Sequence, residues 1–156
     1  MLLSSKISKL NSILGSDLII IEGMKDREAL CRLGINNVFE ISGKPLVEIA
    51  DILAANDVKN VTILTDFDED GEDQKSQLTH YLSHVGIKIN SFARKRIQTL
   101  FKIHKIEELT QFTKFMEDDY NSKASSIYDK IFNRSRIHNR QRGRKTRRYR
   151  SNIWTN

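Results

Sequence analysis

Leu18-Ile19-Ile20-Ile21 is a run of four aliphatic residues, three of them β-branched, with nothing polar on either face. A strand with one face in water alternates polar and apolar side chains. A strand apolar on both faces must be covered on both, which is the condition of a parallel sheet. The pattern recurs along the chain. Val38–Ile41, Val61–Thr65 and Ile87–Phe92 are further short apolar runs, and between them Lys25–Leu33, Leu46–Ala55 and Glu72–Val85 carry helical spacing, as does Ser5–Leu14 before the first run. Gly15, Gly34 and Gly86 supply helix stops, and Pro45 suits the first position of a helix. The order α-β-α-β-α-β-α-β predicts the α/β class, with a four-stranded parallel sheet flanked by helices.

Two more helical stretches, Arg94–Ile103 and Ile106–Met116, follow the last strand, and a polar boundary lies at residues 118–126. Ile127, Tyr128, Ile131 and Phe132 have the spacing to anchor a last helical turn. The expected organisation is an α/β core at residues 1–93 with its N-terminal helix, a helical extension at 94–132 and an Arg-rich tail at 133–156. The charge is divided accordingly: ten Lys or Arg and no acid lie from Lys130 onward, whereas residues 1–129 hold 16 basic and 20 acidic side chains, a net of −4. The tail has almost no aliphatic residues and cannot offset its ordering entropy alone, so it is expected to order only on a polyanion. Its cations Arg140, Arg142, Arg144, Lys145, Arg147, Arg148 and Arg150, with Tyr149 and Trp154 for stacking, suit nucleic acid. Arg-rich segments that fold on binding are frequent in RNA recognition, which favours RNA over DNA as partner.

A single cysteine, Cys31, rules out a disulfide framework or a cysteine zinc site within the chain and is expected to be a packed side chain. No apolar run approaches the roughly 20 residues of a membrane span, and the N-terminus lacks the pattern of a signal peptide. A soluble, cytoplasmic protein without a membrane partner is the expectation.

The chemistry is concentrated in Asp66-Phe67-Asp68-Glu69-Asp70-Gly71, directly after the third apolar run. Carboxylates this close repel one another unless a cation lies among them, and all-oxygen donors suit Mg²⁺. The D-x-D-x-D-G pattern also opens a calcium-binding EF-hand loop. That loop needs a glutamate at its twelfth position, where this chain has Gln77, and a helix before it, where this chain has a strand. A phosphatase of the haloacid dehalogenase type carries D-x-D after its first strand rather than its third, and Asp70 stands where that family usually has Thr or Val. A solvated acidic loop at a helix N-terminus accounts for Glu69, Glu72 and Asp73 through the helix dipole, but less well for Asp66 against the strand. His80 and His84 share a helix face at a spacing suited to zinc, with no third ligand evident.

The first run ends in Glu22-Gly23-Met24-Lys25-Asp26. Together with Thr65-Asp66-Phe67-Asp68-Glu69-Asp70-Gly71, in that order and one βα unit apart, it resembles the Toprim domain over residues 17–93. This is the catalytic module of topoisomerases, DnaG-type primases and several nucleases, and the chain looks most like the small stand-alone Toprim proteins of archaea. The ribonuclease that matures 5S ribosomal RNA is among the bacterial relatives. The resemblance implies that Glu22, Asp66 and Asp68 are catalytic. It makes Glu22 a general acid or base or a metal ligand, Asp66 and Asp68 the main Mg²⁺ ligands (Mn²⁺ as substitute) and Asp70 an additional one. Gly23 and Gly71 would shape turns, and Lys25 would face a phosphate. The cations Arg94, Lys95 and Arg96 open the next helix and are expected to bind phosphate too.

Strand passage needs a tyrosine in a separate large domain, and a primase needs zinc-binding and helicase-binding modules; neither is expected here. Metal-dependent hydrolysis of phosphodiesters is the simplest activity that remains, with structured RNA such as ribosomal RNA or its precursors as substrate. Two alternatives stay open: a non-catalytic RNA-binding protein associated with the ribosome or pre-ribosomal particles, and a DNA-repair nuclease or primase-like protein.

Overall fold

The computed structural model describes residues 3–113. Helix α1 (Leu3–Leu14) leads into strand β1 (Leu18–Ile21), helix α2 (Met24–Arg32), strand β2 (Val38–Glu40), helix α3 (Leu46–Ala55) and strand β3 (Asn60–Ile63). Helix α4 (Glu69–His84), strand β4 (Lys88–Ile89), helix α5 (Ala93–Phe101) and a 3₁₀ segment (Ile106–Phe112) complete it. All strand pairs are parallel, in the order β2-β1-β3-β4. The α/β class and the four-stranded parallel sheet are therefore as the apolar runs require.

β1 is buried along its whole length, and its alternate residues feed two cores. Ile19 and Ile21 face one core with Leu10, Leu14, Leu30, Ile97, Phe101, Ile106 and Leu109; Leu18 and Ile20 face the other with Phe39, Ile49, Leu53, Leu78 and Leu82. Helices α1, α2 and α5 with the 3₁₀ segment thus cover one face of the sheet, and α3 and α4 cover the other. Residues 97–109, which the sequence suggests as part of a separate extension, share the first core with α1 and α2. Cys31 is buried.

Several element ends shift by one or two residues from expectation, and three boundaries differ with a local structure of their own. β4 pairs over Lys88 and Ile89 alone; the Asn90 N–H still donates to the Val61 carbonyl at 2.9 Å while its side chain reaches the Ile13 carbonyl (3.3 Å) and Asp17 (3.3 Å), and α5 starts at Ala93. Helix α4 begins at Glu69 rather than Glu72, since Asp68 caps it by accepting from the Gly71 N–H at 2.8 Å. The stretch after Ile106 is 3₁₀ rather than α. Ile106 and Leu109 are buried and Phe112 packs against them, a spacing of three that matches a 3₁₀ turn. Residues 114–156 lie outside the described residues, and with them the end of the expected helical extension (its boundary at 118–126 and the turn around Ile127, Tyr128, Ile131 and Phe132) and the Arg-rich tail at 133–156.

Candidate metal and nucleic-acid site

From β1 the chain leaves through α2 to β2 on one side; from β3 it leaves through α4 to β4 on the other. The carboxyl ends of β1 and β3 therefore flank the switch point of the sheet, the crevice where open α/β folds bind ligands. Ile20 pairs with Ile63, so Glu22 and Asp66 follow at nearly the same level beyond the strand ends. Glu22 Oε1 accepts the Asp66 N–H at 2.8 Å, tying the two exits together. Asp66 Oδ1 in turn accepts the Ile106 N–H at 2.9 Å, which draws in the 3₁₀ segment. Asp68 is held by its cap bond to Gly71. Each of the three carboxylates is thus fixed by one backbone donor, and among the described residues its second oxygen takes no protein hydrogen bond. Asp70 lies exposed in the first turn of α4, and no hydrogen bond joins it to the other three.

Behind them Asp26 is buried in the first turn of α2 and accepts the Gly23 N–H at 3.1 Å. Burial pushes its carboxyl up to about 6, and the negative charges of Asp66, Glu22 and Glu107 push the same way. Glu22 and Asp66 are also raised, each first by burial and then by neighbouring carboxylates, Asp68 among them. Their backbone donors and the Lys105 ammonium oppose the shift without cancelling it. The pocket holds more negative charge than its own cations balance.

Arg94 departs from the phosphate-binding expectation. Its side chain is 7% exposed and turns inward. Nε donates to the Thr65 carbonyl at 3.0 Å, Nη2 to the Asp66 carbonyl and Nη1 to Glu72, while the guanidinium lies 4.8 Å from the Phe67 ring centre. A planar fork with five donors suits two successive carbonyls and a carboxylate together. Arg94 therefore braces the backbone that carries Asp66, and it holds the Glu72 carboxyl below its ordinary range. Phe67 is half-buried beneath it, its N–H donated to the His104 carbonyl at 2.9 Å. Lys95 and Arg96 are exposed on the outer face of α5. Lys25 is exposed at the rim, 3.5 Å from Glu107.

Two site neighbours escape sequence reasoning. Lys105 and Glu107 receive no role from the sequence; they reach the carboxylates because Ile106 plugs the core and its N–H is taken by Asp66. Gly71 acts through space rather than through an unusual backbone angle. A Cβ there would overlap the Asp66 carbonyl oxygen and lie 2.8 Å from its carbon, so only glycine lets the first turn of α4 close on the exit of β3.

Among the described residues no three His, Cys, Asp or Glu side chains are gathered closely enough to hold a metal ion by themselves. The donor set nevertheless fits Mg²⁺, which keeps several waters and is commonly held by one or two carboxylates plus phosphate oxygens. No described helix is long and apolar enough to cross a membrane.

The Toprim domain matches residues 17–111 of this chain. The UPF0292 protein of Thermococcus sibiricus is 37% identical over 110 residues, covering 69% of this chain and 84% of that protein. A UPF0292 protein of Pyrococcus abyssi is 37% identical over 106 residues, 66% of this chain and 77% of the relative. The solved structure of a protein from Aquifex aeolicus superposes with a TM-score of 0.59 at 30% identity, covering 69% of this chain and 97% of the other.

Proposed function

This chain belongs to the Toprim family, and with the carboxylates placed as they are we propose that it is a Mg²⁺-dependent nuclease that hydrolyses phosphodiester bonds in structured RNA. Membership itself gives the protein a nucleic-acid-related function, with acidic residues of the kind that bind Mg²⁺. The observation that carries the finer reading is the bond from the Asp66 N–H to Glu22, which sets two carboxylates side by side at the switch point.

Asp66 and Asp68 would hold the ion, with Glu22 beside Asp66 to assist and Asp70, exposed in the first turn of α4, as an additional ligand. When bound, Mg²⁺ neutralises charge on a phosphodiester and activates water. Glu22, with its proton affinity raised by burial, is suited to take a proton from the attacking water and return it to the leaving oxygen. Lys25 and Lys105 stand at the rim, where their ammonium groups would offset the repulsion between the acidic pocket and a substrate phosphate. The preference for RNA rests on the Arg-rich composition after Arg134. Ribosomal RNA or its precursors are the structured RNAs such a tail would fit, which would place the protein in the cytoplasm.

Asp68→Asn is the test. The amide oxygen of Asn can still cap α4, so the helix start is kept while the anionic ligand is lost. With end-labelled precursor ribosomal RNA and Mg²⁺, the variant should bind as the parent does and not cleave. Cleavage at the parental rate would remove the proposed site. A second reading has one observation in its favour, the absence of three gathered ligands among the described residues. In it Mg²⁺ bridges protein and RNA without turnover, and neither parent nor variant would cleave.

A further inference from the structure

Helix α5 carries a second exposed feature on the face opposite Arg94. Phe92, Lys95, Arg96 and Thr99 recur at the three- and four-residue spacing that stacks side chains along one helix face. The Arg96 N–H donates to the Phe92 carbonyl at 3.1 Å, so Phe92 sits in register with the helix it precedes. Its ring is 75% exposed, one of the most exposed large apolar side chains in the described residues. Thr99 and the two cations line a groove of about 430 Å³ whose other wall is α1, with Lys9 and Ser12. Neither α1 nor α5 contains an acid. On the opposite face of the sheet, α3 carries Glu48 and Asp51, and α4 carries Glu69, Asp70, Glu72 and Asp73. The α1–α5 strip is thus cationic and free of acids, whereas α3 and α4 across the sheet are acidic.

A solvent-facing aromatic beside a groove of cations and hydroxyls is the combination that holds single-stranded nucleic acid: cations track the backbone and the ring stacks on a base. The geometry also gives the groove a direction. Phe92 follows the carboxyl end of β4, which runs parallel to β3, so the aromatic end of the strip lies at the sheet edge that also carries Glu22 and Asp66. We propose that the α1–α5 groove is a binding track for an unpaired nucleic-acid strand, with Phe92 stacking on a base and Lys9, Lys95 and Arg96 contacting phosphates, leading that strand to the Glu22–Asp66 pair. This rests on the nucleic-acid function proposed above, but not on turnover.

The experiment is fluorescence anisotropy with the full chain in EDTA, where cleavage does not intervene, using a labelled 12-nucleotide oligouridylate and a blunt RNA duplex of equal length. Phe92→Ala should weaken binding of the single strand about tenfold, with the salt dependence and the duplex affinity unchanged. Lys95→Ala with Arg96→Ala should lower the salt slope for the single strand by about 1.4, at about 0.7 per phosphate contact. Lys59→Ala, an exposed lysine at the start of β3 paired with Asp57, is the control and should change neither. Thermal melts check that each variant is folded; all of these side chains are exposed. Unchanged binding by Phe92→Ala, or equal loss on the duplex, would overturn the stacking role. A fall in salt slope with Lys59→Ala as large as half that of the Lys95→Ala, Arg96→Ala variant would show a net-charge effect and overturn the track. Absence of Mg²⁺-dependent cleavage by the parent, with the groove variants still impaired in binding, would sink the nuclease and leave the track standing.

Discussion

Gly71→Ala sets two effects of opposite sign against each other. In an ordinary helix interior the change stabilises, because alanine exceeds glycine in helix propensity by about 0.8–1.0 kcal/mol. Here the added methyl would overlap the Asp66 carbonyl oxygen and approach its carbon to 2.8 Å and its nitrogen to 3.1 Å. All three are backbone atoms, so no side chain can rotate away. Overpacking of this kind costs about 1–3 kcal/mol. Moving α4 outward to relieve it would also break the buried Thr65 hydroxyl bond to the Gly71 carbonyl, 2.7 Å long, at a further 1–3 kcal/mol or about that order. The clash wins, with a net loss of about 3 kcal/mol, within a span of about 1–5, once propensity is credited. Urea denaturation of parent and variant measures it. In a thermal melt the same loss corresponds to a fall of roughly 10–25 °C for a domain of this size. Because the displaced atom is the Asp66 carbonyl that Arg94 also holds, the variant should lose Mg²⁺-dependent activity even at temperatures where it stays folded. A variant as stable as the parent, or more stable by about 1 kcal/mol as propensity alone requires, would refute the close approach of α4 to β3.

Replacing Arg94 by Met should cost about 3–5 kcal/mol in urea denaturation, because it strands the Thr65 and Asp66 carbonyls; Arg94→Lys should recover only part of that, since an ammonium cannot span both carbonyls and Glu72. The Asp26 carboxyl is raised from 3.8 to about 6 in the folded state, so the folded protein binds more protons than the unfolded one in that interval. Stability measured without metal should therefore fall as pH rises from about 4 to about 6, and Asp26→Asn, which can still accept the Gly23 N–H, should flatten that slope and stabilise the protein at neutral pH. Mg²⁺ should raise the melting temperature at pH 8, by the equivalent of about 2.7 kcal/mol at one hundred times its dissociation constant, and Asp66→Asn should abolish that gain. Deleting the residues after Arg134 should weaken RNA binding and flatten its salt dependence without changing the melt; an unchanged salt slope would show that the tail makes no phosphate contacts.

The sheet was legible because β1 has no polar face. Four consecutive aliphatic residues admit only a doubly covered strand, and the remaining runs follow its logic. The carboxylate pair was legible for the same reason: Glu22 follows β1 directly, Asp66 follows β3 after two further buried residues, and parallel pairing must bring them to one edge. Contacts that depend on side-chain direction were hidden. Three cations in succession at the start of a helix, Arg94-Lys95-Arg96, look alike in sequence, yet helical rotation turns the first into the core and leaves the others in water. The period of three in Ile106, Leu109 and Phe112 was present to be read as 3₁₀, but it overlaps the i, i+3 positions of an α-helix and does not separate the two alone. Lys105 and Glu107 enter the site through a backbone N–H bond to Asp66, which no residue pattern encodes. The close approach at Gly71 is likewise a property of two elements packed together and leaves no local signature beyond the glycine.

The measurement that bears most directly on the central claim is a single-turnover cleavage assay on one end-labelled sequence prepared as structured RNA and as DNA, with Mg²⁺, for the parent and for Glu22→Gln. The glutamine keeps an oxygen for the Asp66 N–H and removes the charge and the proton affinity. RNA cleaved by the parent alone, with DNA spared and binding equal in both proteins, is the predicted result. RNA cleaved equally by both would remove Glu22 from the chemistry and contradict the assignment of the site.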